Sequence, residues 1–128
     1  MSSFYIVLEA KKSDFKGMIT RAFSKPYRLR GDWEVGVSRC FMANGSGGGP
    51  FWIFSNVVDY TYVNEVPMQL VDIVDDVSSY KNNKPMYVKL ISKHFSSINV
   101  QFKQSPTSEQ FSADLLGDIV CILHFRKA

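Results

Sequence analysis

Apolar residues alternate with polar ones at a period of two in segment after segment of this chain, the pattern of strands with one buried face. Phe4, Ile6, Leu8 and Ala10 share one face of a first strand. Phe23, Tyr27 and Leu29 mark a second, in which Pro26 lacks a ladder donor and predicts an edge position or a bulge. Trp33, Val35, Val37 and Phe41 define the cleanest strand, with Glu34, Gly36, Ser38 and Cys40 on its opposite face. The continuous apolar run Phe51–Phe54 predicts a strand buried on both faces, and Met68–Val74, Met86–Ile91, Ile98–Phe102 and Ile119–Phe125 complete a set of about eight.

Helical signals are few. Ser13–Arg21 has room for one turn, capped by Ser13 or Asp14, and Ser108–Leu116 for another, stopped at Gly117. Asp72–Ser79 is too rich in β-branched residues for a helix. Asn44–Pro50, with four glycines, reads as a flexible loop. No repeat, linker or change of composition divides the 128 residues, so the expectation is a single domain over 1–128. Its class is all-β, an antiparallel β-sandwich of about eight strands.

Composition adds a bias in the same direction, since aromatics reach 14% and favour pleated, half-buried surfaces. A formal charge of +3, spread over scattered basic pairs, is a solvated surface rather than the concentrated stripe of a dedicated nucleic-acid binder. No apolar stretch reaches the roughly 20 residues that span a bilayer as a helix. Two cysteines in so short a chain do not make a disulfide framework, and free thiols are expected at Cys40 and Cys121.

Motifs for chemistry are missing. Cys40, Cys121, His94 and His124 lack the paired spacing of a zinc site, and Cys121 and His124, an odd number apart, point to opposite faces of one strand. No serine sits in a nucleophile elbow, and Asp75-Asp76 reads as a solvated strand end. The glycine loop runs into Pro50-Phe51-Trp52-Ile53 rather than the Lys-Ser/Thr and helix that cradle a phosphate. Arg30-Gly31-Asp32 spells an integrin-binding tripeptide, but between two strands Gly-Asp is ordinary hairpin chemistry. Basic residues interleave with aromatics around Tyr27 and over His94–Phe102, as in single-strand binders and equally in strands with an aromatic core face. The expectation is a protein that is not an enzyme and uses neither cofactor nor metal.

Three segments carry a family resemblance. They are Phe4-Tyr5-Ile6-Val7-Leu8, the stretch Lys25–Val37 with Gly31-Asp32-Trp33-Glu34-Val35 at its centre, and Gly117–Lys127 with Leu123-His124-Phe125-Arg126. In order along the chain they resemble virion proteins, minor capsid or penton-like, of Polinton (Maverick) elements and related adinto-like and bidna-like animal viruses. The resemblance implies a single jelly roll, a virion location after a soluble stage in the host cell, and other capsid subunits as partners. It also implies a homo-oligomer, most simply a pentamer. Tyr5, Val7, Val120 and Ile122, on the faces opposite the core residues, are the candidate assembly surface. The alternative is a monomeric β-sandwich that binds carbohydrate or peptide through Asn44 and Gly48 of the glycine loop and through Tyr60 and Tyr62.

Overall fold

Alternating strands must cover their apolar faces, and here they do so by pairing two antiparallel sheets across one core. The computed structural model describes residues 2–11, 17–43, 51–74, 80–81, 85–107 and 118–128. Eleven strands run through these: β1 (Ser3–Ala10), β2 (Met18–Arg28), β3 (Trp33–Ala43), β4 (Phe51–Ser55), β5 (Thr61–Val63), β6 (Val66–Met68), β7 (Leu70–Val74), β8 (Tyr80–Lys81), β9 (Val88–Lys89), β10 (His94–Lys103) and β11 (Asp118–Lys127). The first sheet has the order β1-β11-β3-β8, with β9 also on β3. The second has the order β2-β10-β4-β7, and β5-β6 is a separate hairpin.

The pairings are nested. β1 lies against β11, β2 against β10, β3 against β8 and β9, and β4 against β7, all antiparallel. The core draws on both sheets: Ile6, Leu8, Val35, Val37, Cys121, Leu123 and Phe125 from the first meet Ile19, Ile53, Val71, Ile98, Val100 and Phe102 from the second. The architecture is all-β and sandwich-like, and Trp33, Val35, Val37, Leu123 and Phe125 are buried as their spacing predicts.

Four aromatic rings join the sheets at one end. Phe4 and Phe125 are cross-strand neighbours in the first sheet, and Tyr27 and Phe95 in the second. Phe125 stacks on Phe4 at 4.8 Å, Phe4 on Tyr27 at 5.2 Å, Tyr27 on Phe95 at 5.2 Å, and Phe95 returns to Phe125 at 5.8 Å. Each such pair adds about 0.5–1.5 kcal/mol beyond the area it buries.

Three expectations about faces, turns and helices are corrected. Cys40 belongs to the core face and not to the outer one. Leu123 pairs with Val37 but Ile122 with Arg39, so Ser38 is an extra residue in β3 that reverses the alternation beyond it. Arg30-Gly31-Asp32 is not a hairpin turn, because β2 and β3 lie in different sheets. Gly31, at φ 86°, turns the chain from one sheet to the other, and the Trp33 indole N–H closes the turn on the Arg30 carbonyl at 2.8 Å. Within Ser13–Arg21, Met18–Arg21 is strand rather than helix, held by Ile98–Gln101 of β10.

Met68–Val74 is two strands, broken at Gln69, whose amide donates to the carbonyls of Asn56 and Val58. Pro26 is in both predicted settings at once. β2 is an edge, and its ladder to β10 jumps from Tyr27 to Ala22. The glycine loop, Asp75-Asp76 and Ser108–Leu116 lie outside the described residues.

Phe125→Ala should lower stability by about 3–5 kcal/mol, because it removes a fully buried ring and two stacking partners together. Equilibrium denaturation in urea measures the loss, which is a large share of the roughly 5–15 kcal/mol typical of a domain.

Candidate functional site

In β1 and β11 the residues that alternate with the core set form one outer surface. Register brings Tyr5 beside His124, Val7 beside Ile122 and Glu9 beside Val120. Tyr5 is 60% exposed and Val7 58%, while Val120 and Ile122 are half-buried. The four candidate assembly residues are therefore neighbours on the outer side of the first sheet, two of them exposed and two half-buried.

One end of the patch is built by residues 85–87, which lead into β9 of the first sheet and are held by a side chain of the second. The buried Asp72 carboxylate of β7 accepts from the amide of Ile73 at 2.7 Å and from that of Met86 at 3.3 Å, which anchors residues 85–87. That segment lies directly on Gly36 of β3. A Cβ there would come within 3.0 Å of Pro85 Cβ and 3.2 Å of the Met86 carbonyl. The close approach delivers Tyr87, whose hydroxyl forms a 2.7 Å hydrogen bond with His124 Nδ1. His124 in turn stacks on Tyr5 at 4.6 Å. Arg126 sits 3.4 Å from the Tyr87 ring centre and pairs with Glu34 at 2.7 Å.

The surface thus has an apolar half, Val7, Val120 and Ile122, and an ordered half, Tyr5, His124, Tyr87 and Arg126. The exposed Arg126–Glu34 pair contributes at most about 1 kcal/mol, so its effect is to orient Arg126 over the ring. An ordered aromatic and cationic group beside the exposed Val7 and the half-buried Val120 and Ile122 has the mixture of apolar and polar contacts found in protein–protein surfaces. Tyr87 falls within the predicted strand Met86–Ile91, and nothing in that segment sets it apart from its neighbours. Gly36 had a signature: a glycine inside a clean strand marks the close approach of another backbone.

The loop candidates separate. Asn44 and Gly48 lie outside the described residues. Tyr62 is 75% exposed on the β5–β6 hairpin, opposite Pro67. Tyr60 lines a cleft of ≈ 330 Å³ with Asn56, Gln69, Asn99 and Gln101. The Gln69 side-chain amide is already spent on backbone carbonyls, and the Asn99 amide donates to the Thr20 hydroxyl.

Among the described residues no three His, Cys, Asp or Glu side chains gather as a metal would require, and no helix is long and apolar enough to cross a membrane. Cys40 and Cys121 are free thiols, both fully buried, and face each other across β3 and β11. The hydrogen bond that the Cys40 thiol donates to Cys121, burial, and repulsion between the two sulfurs push the Cys40 thiol well above its ordinary range. Compared with protein-family models, with curated proteins and with solved structures, the chain matches none.

The raised Cys40 pKa makes alkali destabilising. Below the ordinary thiol pKa folded and unfolded chains hold the same proton, and stability is at its full value. Above it the unfolded chain ionises first, so stability falls as pH rises towards the folded value. Urea midpoints taken from pH 7 upwards should drop through this window, and Cys40→Ala should flatten that drop while lowering stability overall.

Proposed function

We propose that this chain is a viral structural protein, a minor capsid or penton-like subunit that acts by symmetric self-assembly. The observation that carries the proposal is the patch of Tyr5, Val7, Val120 and Ile122, with large apolar side chains presented on a regular strand face. Burying such surface contributes about 25 cal/mol per Å², and a rim that is already ordered loses little side-chain entropy on contact.

Strand order supports the finer reading of a single jelly roll. Apart from the β5–β6 hairpin, and with β8 and β9 counted as one position, the pairs first-with-last, second-with-next and so inward are those of one antiparallel ribbon rolled into two sheets. In the proposed assembly the outer face of the first sheet on one subunit meets a different surface on the next, and the rotation between them closes a ring. Five subunits is the number that the family resemblance implies. The partners are other copies and other capsid subunits. The location is the virion, after a soluble stage in the host cell.

Val7→Asp tests this by placing a carboxylate in the middle of the patch. An unpaired charge buried in an interface costs several kcal/mol, whereas at this exposed position it leaves the fold intact. Sedimentation should give a closed multiple of 14.6 kDa for the unchanged chain and a single subunit for the variant, with identical circular dichroism. An unchanged chain that stays single at high concentration, or a variant that assembles equally well, refutes the proposal.

A further inference from the structure

The open side of β1 is the least protected sheet edge among the described residues. The other edges carry the usual safeguards. β2 is interrupted at its bulge by Lys25 and Pro26, β7 has five residues and is itself bulged, β8 and β9 have two each, and β6 contains Pro67. β1 instead runs for eight uninterrupted pairs, without Pro, Lys or bulge.

Which of its backbone groups are open follows from one hydrogen bond. The Lys127 amide donates to the Ser2 carbonyl at 3.2 Å, so the even-numbered residues of β1 point their N–H and C=O at β11. Those of Ser3, Tyr5, Val7 and Glu9 point away from the sheet. At Glu9 the carbonyl is occupied by the Arg21 guanidinium from β2. The unoccupied ladder is therefore Ser3 to Val7.

Beside that stretch lies a cavity of ≈ 550 Å³ between the edges of the two sheets. Phe4, Tyr5, Tyr27 and Trp33 form its aromatic part, and Arg28, Arg30 and Lys127 line it with no carboxylate among the lining residues. A free ladder and an apolar cavity with three cations are the elements of strand addition, in which backbone bonds give affinity and a side-chain pocket gives selectivity.

We infer that the Ser3–Val7 edge receives an extended segment of a partner protein, with apolar residues along the strand and acidic residues at the end that meets Arg28, Arg30 and Lys127. A nucleic acid strand would satisfy the cations and leave the peptide ladder unpaired. A second copy fits poorly for two reasons. Two-fold pairing of β1 with itself would bring Glu9, Lys11, Arg21 and Asp118 to the cationic end, where the two acids are balanced by two bases. It would also collide with the Arg21 side chain on the Glu9 carbonyl.

The test uses a fluorescein-labelled hexapeptide of four Leu and Val residues with two Glu at one end, and a control with two Lys in their place. Anisotropy is followed on the whole chain, at concentrations below its self-association. The Glu peptide should bind at least tenfold more tightly than the control. Binding should weaken with salt, and should slow hydrogen exchange at the amides of Tyr5 and Val7.

Two variants attack separate halves of the site. Val7→Pro removes an outward amide and spares the β11 ladder. Arg28→Glu with Lys127→Glu reverses the rim at exposed positions. Each should lower affinity tenfold or more with circular dichroism unchanged, and the charge reversal should bring the Lys peptide up to the level of the Glu peptide. Equal binding of both peptides by the unchanged chain, or no protection at Tyr5 and Val7, overturns the inference. So does a dimer of the chain in which the Tyr5 and Val7 amides are protected from exchange without any peptide, because the edge then belongs to a second copy.

Discussion

The pairing of β1 with β11 is the constraint on which the rest of the structure depends. It ties Ser3–Ala10 to residues more than a hundred positions away without a slip in register. That register sets Phe4 beside Phe125, the pair from which the aromatic stack reaches Tyr27 and Phe95 in the other sheet. The same register sets Tyr5 beside His124 and Val7 beside Ile122 on the opposite face. A shift of one residue would exchange the two faces, exposing the core set and burying the outer patch. Closing so long a loop costs entropy, but the cost grows only with the logarithm of length. The buried faces of two sheets offset it.

Local departures from regularity then aim particular side chains. The extra Ser38 in β3 turns Cys40 inward to meet Cys121, and the Ser38 hydroxyl donates to the Ile122 carbonyl at 3.3 Å beside the bulge. A second extra residue, Val71 in β7, lets both Val71 and Asp72 be buried although they are adjacent. Asp72 thereby holds the Met86 amide, and Tyr87 reaches His124. The ordered half of the outer patch thus rests on an irregularity in the sheet opposite. Gly36 is the meeting point, because only a residue without a side chain lets residues 85–87 lie so close to β3.

The outer patch and the open edge use the same residues of β1 in different ways. Side chains of Tyr5 and Val7 stand on the sheet face, while their amides and carbonyls lie in the sheet plane and point sideways. The face and the ladder therefore use different atoms of Val7, while Tyr5 belongs both to the outer patch and to the lining of the cavity. The edge of β2 is guarded by its bulge and by Pro26, and Arg21 from β2 also caps the far end of the β1 ladder.

Fold class, the buried set Trp33, Val35, Val37, Leu123 and Phe125, and the outward placement of Tyr5 and Val7 were legible from the residues alone. A strand shows its two faces in its own alternation, whatever it pairs with. The edge character of β2 was legible for a similar reason, since Pro26 lacks a donor in any context. Sheet membership was decided only by the tertiary structure. Arg30-Gly31-Asp32 has hairpin composition, yet the strands on either side find their partners in β10 and β11, far along the chain. The side of Cys40 was hidden likewise, because an extra residue is extra only against the strand that faces it. The β5–β6 turn escaped notice because Asn64 and Glu65 take positive φ without the glycine that normally signals it. Tyr87, the cavity beside Phe4 and the free ladder of Ser3–Val7 exist only where distant segments meet. Alternation is a property of each strand, but a site of this kind is a property of the pairs, and pairing is settled by the packing of the whole chain.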